Sequence, residues 1–361
     1  MKLNLQKLTL TLLTIAAFTT LTIAQETVVI TETVVEVEEE SNFSLSGSAD
    51  TYFRTNLSGG SNDGTGTAAP ASSFANLPGF ALGMANLIAS YETSKGGVVA
   101  DLVWGPRGSD AVFASTPVDP LYSSTGDVVN QLYAYWNVSD NATITMGNFN
   151  TFLGYEVISP TANFNYSTSY MFSYGPFSHT GLKVDIATES GFSIMAGILN
   201  PTDITEFNPT SDYFFGAQLG YGGFYLNGLF GDDYTQVDLT GGIDVSEKLY
   251  LGVNATITDA GGDDTGFSGA ALYAQLATSD AFKIGARYEF FNDKDGNYVF
   301  GTDVRDTNAS DFTITGQYTV GNLIIIPEVR FDSVSEDVFI DSDGDAGGTL
   351  TSFVLAFVYG F

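Results

Sequence analysis

Three sets of residues in this chain have types and spacing that could do chemistry. The first is its single histidine, His179, flanked by Ser178 and close in sequence to Ser167 and Ser169. A hydrolase would need one Ser–His pair and a third group to orient the imidazole. No HExxH, P-loop or dinucleotide fingerprint accompanies it. A structural or pore-mouth histidine is the better reading, and no catalytic residue is assigned. The second set is two Asp/Gly loops, NDKDGN with Asp293 and Asp295, and DSDGDAGG with Asp341, Asp343 and Asp345. Calcium wants several oxygen ligands on a sharply bent loop, which these offer. Their glycines come too early for an EF-hand and no glutamate closes them. Solvated turns are their commoner use, so no cofactor is expected beyond a weak calcium reading. The third set lies in Thr151–Ser178: Glu156 with Tyr155, Tyr166, Tyr170 and Tyr174. Charge and aromatic surface at a narrow point tune which solutes pass a channel. The same residues could instead pack the segment against a wall, and the sequence leaves both open.

What must position these groups is an all-β frame. The chain has 361 residues, with 40 Gly, 28 Phe, 19 Tyr and only 10 Pro. That composition favours strands. The absence of Cys excludes a disulfide scaffold and a thiolate metal site. From Phe43 onward, stretches of about ten residues alternate apolar with small or polar. In Phe282–Phe291, for example, Phe282, Ile284, Ala286, Tyr288 and Phe290 oppose Lys283, Gly285, Arg287, Glu289 and Phe291. A β-sandwich alternates too, but here the connectors also alternate in length. Short links such as Gly222–Gly223, Ser279–Asp280 and Gly321–Asn322 are separated by longer Gly/Asp/Asn/Ser-rich stretches. That rhythm belongs to a transmembrane antiparallel β-barrel, an up-and-down meander with short periplasmic turns and long outer loops. About 16 strands can be counted, the first near 43–55 and the last near 349–361. The even number requires Thr151–Ser178 to remain one segment, the third outer loop and the expected constriction.

The charge is strongly acidic, 12 Lys+Arg against 42 Asp+Glu, which argues against a nucleic-acid partner. The expected lumen wall carries Asp50, Asp101, Asp185, Asp238, Asp244, Glu289 and Glu328 against Arg54, Lys183, Lys283, Arg287 and Arg330. That face is close to balanced, so most of the negative charge falls in loops and the N-terminal region. A modest cation preference, weakened by salt, follows. Residues 1–24 read as a secretory signal peptide, with Lys2 and Lys7 before an apolar stretch and cleavage after Ala24. Residues 25–42 form an acidic periplasmic extension rich in glutamate. The last strand alternates Phe353, Leu355, Phe357, Tyr359 and Phe361, an aromatic lipid face. Its terminal Phe361 and Tyr359 match the signal that hands barrels to their assembly machinery.

The stretch Gly147–Ala187 resembles the beta-barrel porin-2, OmpL-like family of outer-membrane proteins. The matching elements are Gly154-Tyr155-Glu156, Asn163, Tyr166-Ser167, Ser169-Tyr170, Phe172, Pro176 and His179-Thr180-Gly181. The resemblance implies a barrel channel of the bacterial outer membrane and supplies no catalytic residues. The expected function is passive diffusion of small hydrophilic solutes and ions through a lumen narrowed by the third loop. The alternative is a non-conducting structural or adhesion barrel whose acidic loops bind divalent cations or a partner. Outer-membrane lipid is the expected surroundings, and a homotrimer is expected only by analogy with barrels of this size.

Overall fold

The computed structural model describes residues 42–361 except 68, 76, 115–125, 207, 209 and 262–264, and also the backbone of Leu12–Phe18 and Val29–Val35. Those two short segments pair antiparallel in a sheet of their own. The signal-peptide cleavage point and most of the glutamate-rich extension lie outside the described residues.

Sixteen strands close into one antiparallel barrel in which neighbours in sequence are neighbours in the wall. They are β1 Phe43–Ser58, β2 Gly79–Thr93, β3 Gly96–Trp104, β4 Val129–Ser139, β5 Ala142–Asn150, β6 Ser178–Ala187, β7 Phe192–Leu199 and β8 Phe214–Tyr221. The second half is β9 Phe224–Phe230, β10 Thr235–Asp244, β11 Leu249–Asp259, β12 Phe267–Ala277, β13 Phe282–Asp293, β14 Thr307–Val320, β15 Leu323–Val334 and β16 Thr349–Gly360. The seam joins β16 to β1, from Gly360 opposite Ser48 to Thr351 opposite Ser58. Beyond β16, Phe361 and Gly47 exchange backbone hydrogen bonds of 2.9 and 3.0 Å. Closure leaves no free sheet edge, which is what a strand structure in lipid requires.

The expected length rhythm is present. Every link at one end of the barrel is short, and the links at the other end, here L1 to L8 in chain order, are mostly long. The exception is L5, which is only Gly231–Tyr234. Among the described residues two short α-helices sit in loops, α1 Pro106–Ala111 in L2 and α2 Tyr170–Tyr174 in L3.

Side chains alternate as a lipid-facing wall demands. On β13, Tyr288 and Phe290 are 50% and 47% exposed on the outside, while the alternating Arg287 and Glu289 are fully buried. The alternation is not polar-inside everywhere. On β16 both faces are apolar: Phe357 and Tyr359 point out, and Val354, Ala356 and Val358 are buried inside with Ile326, Tyr166 and Ala75. Phe291 also faces inward, beneath Tyr170 and Met171. An inner wall can be apolar where a loop rather than water covers it, and L3 with part of L1 supplies that cover.

Candidate functional site

L3 leaves the wall at β5, crosses the lumen and docks on β13, β14 and β15. Its returning limb climbs that wall from the short-turn end toward the long-loop end. Gln317 Nε2 donates to the Phe164 carbonyl at 2.9 Å, and Asn165 Nδ2 donates to Thr315 Oγ1 at 2.7 Å. Directly opposite Thr315 on β15, Glu328 accepts Tyr166 N–H at 2.8 Å on one oxygen and Ser167 N–H at 2.9 Å on the other. Arg287 and Arg330 then donate to the carbonyls of Ser167 and Thr168, at 2.8 and 2.5 Å. Highest on the wall, Glu289 accepts Tyr170 N–H at 2.7 Å and Met171 N–H at 2.8 Å.

The local logic is that of backbone satisfaction. A loop inside a barrel has no strand partner for its N–H and C=O groups, and leaving them bare is costly. Two glutamates of the wall each take two successive N–H groups of the loop, and two arginines take carbonyls. The second glutamate doubles as a cap, because Tyr170 and Met171 open α2. Ser169 completes the N-cap by accepting Phe172 N–H at 3.1 Å. Both arginines are held in turn by carboxylates. Arg287 pairs with Glu156 at 2.7 Å and Asp311 at 3.1 Å, and Arg330 pairs with Asp332 at 2.7 Å. Glu156 closes the circuit by accepting Ser169 N–H at 2.7 Å. A buried network of this kind holds only when all its members are satisfied.

The descending limb meets other strands. Gly154 N–H donates to Asp238 Oδ1 on β10 at 3.0 Å, and Asn227 and Asn254 hold the same carboxylate. Tyr155 stacks on Tyr273 of β12 with ring centroids 4.1 Å apart. Val157 N–H donates to Asn163 Oδ1 at 2.9 Å, which ties the two limbs together. Arg107 of α1 donates to the carbonyls of Ile158 and Tyr166, at 3.3 and 2.9 Å.

Tyr166 and Tyr170 are 1% and 0% exposed and Glu156 is 5% exposed, so these three lie in the interface between loop and wall. The Tyr166 hydroxyl bonds Asp50, and the Tyr170 hydroxyl donates to Asp332 at 2.9 Å. Asp50 sits at a register shift of β1, where it also accepts Met84 N–H at 2.8 Å. A Cβ on Gly83 would fall 1.7 Å from that carboxylate, so only glycine leaves room for it. Tyr155 and Tyr174 keep some exposure. Burial raises all four tyrosine hydroxyls above their ordinary value, that of Tyr174 up to about 12, so each is a neutral donor at physiological pH.

The expected wall charges do not act as one set. Asp50, Glu289, Glu328, Arg287, Arg330 and Asp238 hold L3. Asp101 binds Asn86, Asn130 and Gln131 within the wall. Arg54 is buried on β1, while Lys183 and Asp185 pair at 2.9 Å on a more open part of β6. Asp244 and Lys283 are exposed near the short-turn end. Sequence reasoning missed Asp311, Asp332, Thr315 and Arg107. The first three had a signal, since β13 to β15 carry charged or hydroxyl residues at successive inward positions, whereas Arg107 lies on α1 outside that pattern. It also missed Asp203 of L4, whose Oδ1 accepts Phe177 N–H at 2.7 Å and Ser178 N–H at 2.9 Å where L3 rejoins the wall.

His179 is buried at that same junction. Its Nε2 lies 2.9 Å from Thr151 Oγ1 and its ring lies 5.0 Å from that of Phe152. Ser169 is occupied in capping α2. In the acidic loops the aspartates cap turns. Asp293 accepts Val299 and Phe300 N–H, Asp295 accepts Asn297 and Tyr298 N–H, and Asp341 accepts Asp343 and Asp345 N–H. Among the described residues, no three carboxylate or histidine side chains come together as a metal ion would need.

The profile of the family described as "Putative beta-barrel porin-2, OmpL-like" matches residues 42–361. The chain belongs to this family. No curated protein matches it. Solved outer-membrane porins share the fold of this porin-2 chain. The OmpF of Salmonella typhi, solved with daunomycin, is 13% identical with a TM-score of 0.57, covering 88% of this chain and 97% of its own. The anion-selective porin of Comamonas acidovorans is 11% identical with a TM-score of 0.55, over 88% and 99%. OmpT of Vibrio cholerae is 11% identical with a TM-score of 0.54, over 90% and 100%. At these identities the likeness carries the barrel and nothing about what passes through it.

Proposed function

We propose that this chain is a passive channel of the bacterial outer membrane for small hydrophilic solutes and ions. Its porin family and fold are not those of enzymes in general. The observation that carries the reading is the inward third loop, fixed to the far wall by Glu289, Glu328, Arg287 and Arg330. A loop so placed narrows the lumen. The acidic outer loops attract cations, and the preference is mild because salt screens exposed charge. Export by the N-terminal signal, delivery to the assembly machinery through Tyr359 and Phe361, and a homotrimer in lipid complete the proposal.

A second reading also has an observation behind it. Where Leu153, Gly154, Met171 and Phe172 meet Gln236, Asp238, Asn254 and Thr256, a space of only about 10 Å³ remains. That contact favours a non-conducting barrel whose acidic loops bind ions or a partner. Single-channel recording of the refolded mature chain in a planar bilayer, under a salt gradient, separates the two. Steady steps with a small cation-selective reversal potential support the channel. Silence from a verified folded barrel selects the second reading.

A further inference from the structure

Below that narrow contact the lumen opens again. A cavity of about 560 Å³ lies between the descending limb of L3 and the inner face of β8 to β11. It is lined by Phe152, Tyr155, Tyr225 and Tyr250, with Gln218 and Thr240 between them. Among the described residues, no Asp, Glu, Lys or Arg lines it. This contrasts with β13 to β15, where inward charges crowd together. Two carboxylates flank it along β10, each one inward position beyond the lining: Asp244 past Gly242 toward the short turn, and Asp238 past Thr240, the latter taken up by Gly154 N–H, Asn227 and Asn254.

The aromatic surface is held flat by glycines. A Cβ on Gly252 would lie 2.8 Å from the Tyr155 hydroxyl and 2.9 Å from its ring carbons. A Cβ on Gly242 would lie 2.0 Å from the Tyr250 hydroxyl. The two tyrosines therefore lie against bare backbone. Tyr155 is braced from behind by Tyr273. Tyr225 is 38% exposed into the opening.

We infer that this cavity is a binding station for neutral polyhydroxylated solutes, that is, sugars of two or three rings. The inference rests on the channel reading above and names its solute class. The volume falls within the roughly 300–1,000 Å³ of small-molecule sites. Aromatic faces accept the apolar C–H faces of a pyranose, while phenol, amide and hydroxyl groups at their edges meet its hydroxyls. An anionic solute would shed water there and find no cationic side chain among the lining residues.

The test uses the folded full-length mature chain in detergent and reads binding apart from conduction. Saturation-transfer NMR follows maltotriose, with trigalacturonate as the charged probe of similar size. Maltotriose binds, and trigalacturonate does not. Tyr225→Ala weakens maltotriose binding by about tenfold, and Gly242→Ala, whose methyl displaces Tyr250, does likewise. Tyr225 is part-exposed, so its truncation leaves the wall intact, and the heat-modifiable gel shift verifies the folded barrel for both variants. The inference is overturned by a folded barrel that ignores maltotriose, by equal binding of both probes, or by binding that neither substitution weakens. Conductance without sugar binding likewise sinks the solute class and leaves the channel standing. Sugar binding without conductance upholds the station and removes the channel.

Discussion

Glu328→Gln gives the sharpest test of how L3 is held. The wild-type carboxylate accepts Tyr166 N–H on one oxygen and Ser167 N–H on the other, and Thr315 Oγ1 donates to it at 2.7 Å. Glutamine offers one oxygen and points an NH₂ group at the second amide. One charge-assisted bond is lost and one buried N–H is stranded, a cost of about 2–3 kcal/mol. That corresponds to roughly 30- to 150-fold in the ratio of docked to released loop. The wall itself is untouched, because residue 328 keeps its backbone pairing to Thr315 and Val354. Single-channel recording reads the change directly. Openings to a larger conductance level, rare in the wild type, become more frequent by that factor, and current noise rises. If the folded variant shows the same open fraction within threefold and the same noise, the loop is not held by this carboxylate and the docking account fails.

Other outcomes follow from the same geometry. Arg287→Met leaves Glu156 and Asp311 buried without their shared cation, so stability falls by about 3–5 kcal/mol, read as a lower urea midpoint of the heat-modifiable band; Arg287→Lys recovers part of it. Burial pushes the carboxyl of half-buried Asp203 up to about 6, from an ordinary value near 3.8. A raised acid stabilises fully below its unfolded value and loses that stabilisation as pH rises through its folded one. The L3–L4 junction is therefore tighter at pH 4 than at pH 7. Limited proteolysis in L4 should quicken across pH 4–7 in the wild type and lose that dependence in Asp203→Asn, and equal pH dependence in both would refute the assignment. The reversal potential under a fixed salt ratio should shrink as total salt rises from about 0.1 to 1 M, since the Debye length drops from about 10 to 3 Å. A preference that survives 1 M salt would have to arise in the buried part of the lumen instead.

The frame was legible in the sequence because a barrel strand writes its two environments into alternate residues. Tyr288 and Phe290 against Arg287 and Glu289 could be read without a structure, and so could the short turn at Gly321–Asn322. The docking of L3 was not legible. Alternation says which side of the wall a residue faces, but not what meets it across the lumen. Nothing in the spacing links Tyr166 to Glu328, 162 residues away. Glu156 and the L3 tyrosines were picked out as a group from their types alone. Their partners were missed because a wall carboxylate that binds backbone N–H groups looks, in sequence, like one facing water. Val354, Ala356 and Val358 mark the same limit from the other side: an apolar inner face makes sense only once the covering loop is known.

The anchoring of L3 also bears on the order in which the molecule assembles. The loop lies between β5 and β6, but its anchors lie on β13, β14 and β15. Every wall pairing except the seam joins strands adjacent in sequence, so hairpins can form with little loss of loop entropy. L3 cannot dock until the sheet has curled far enough to bring β13 to β15 opposite β5, and the seam between β16 and β1 is the other long-range closure. Contacts of such large sequence separation form late. The bonds to Glu289 and Glu328 are therefore absent when the early hairpins form. They do little to speed folding. Their weight falls on the unfolding rate, so the loop that narrows the lumen also acts as a kinetic lock on the finished barrel.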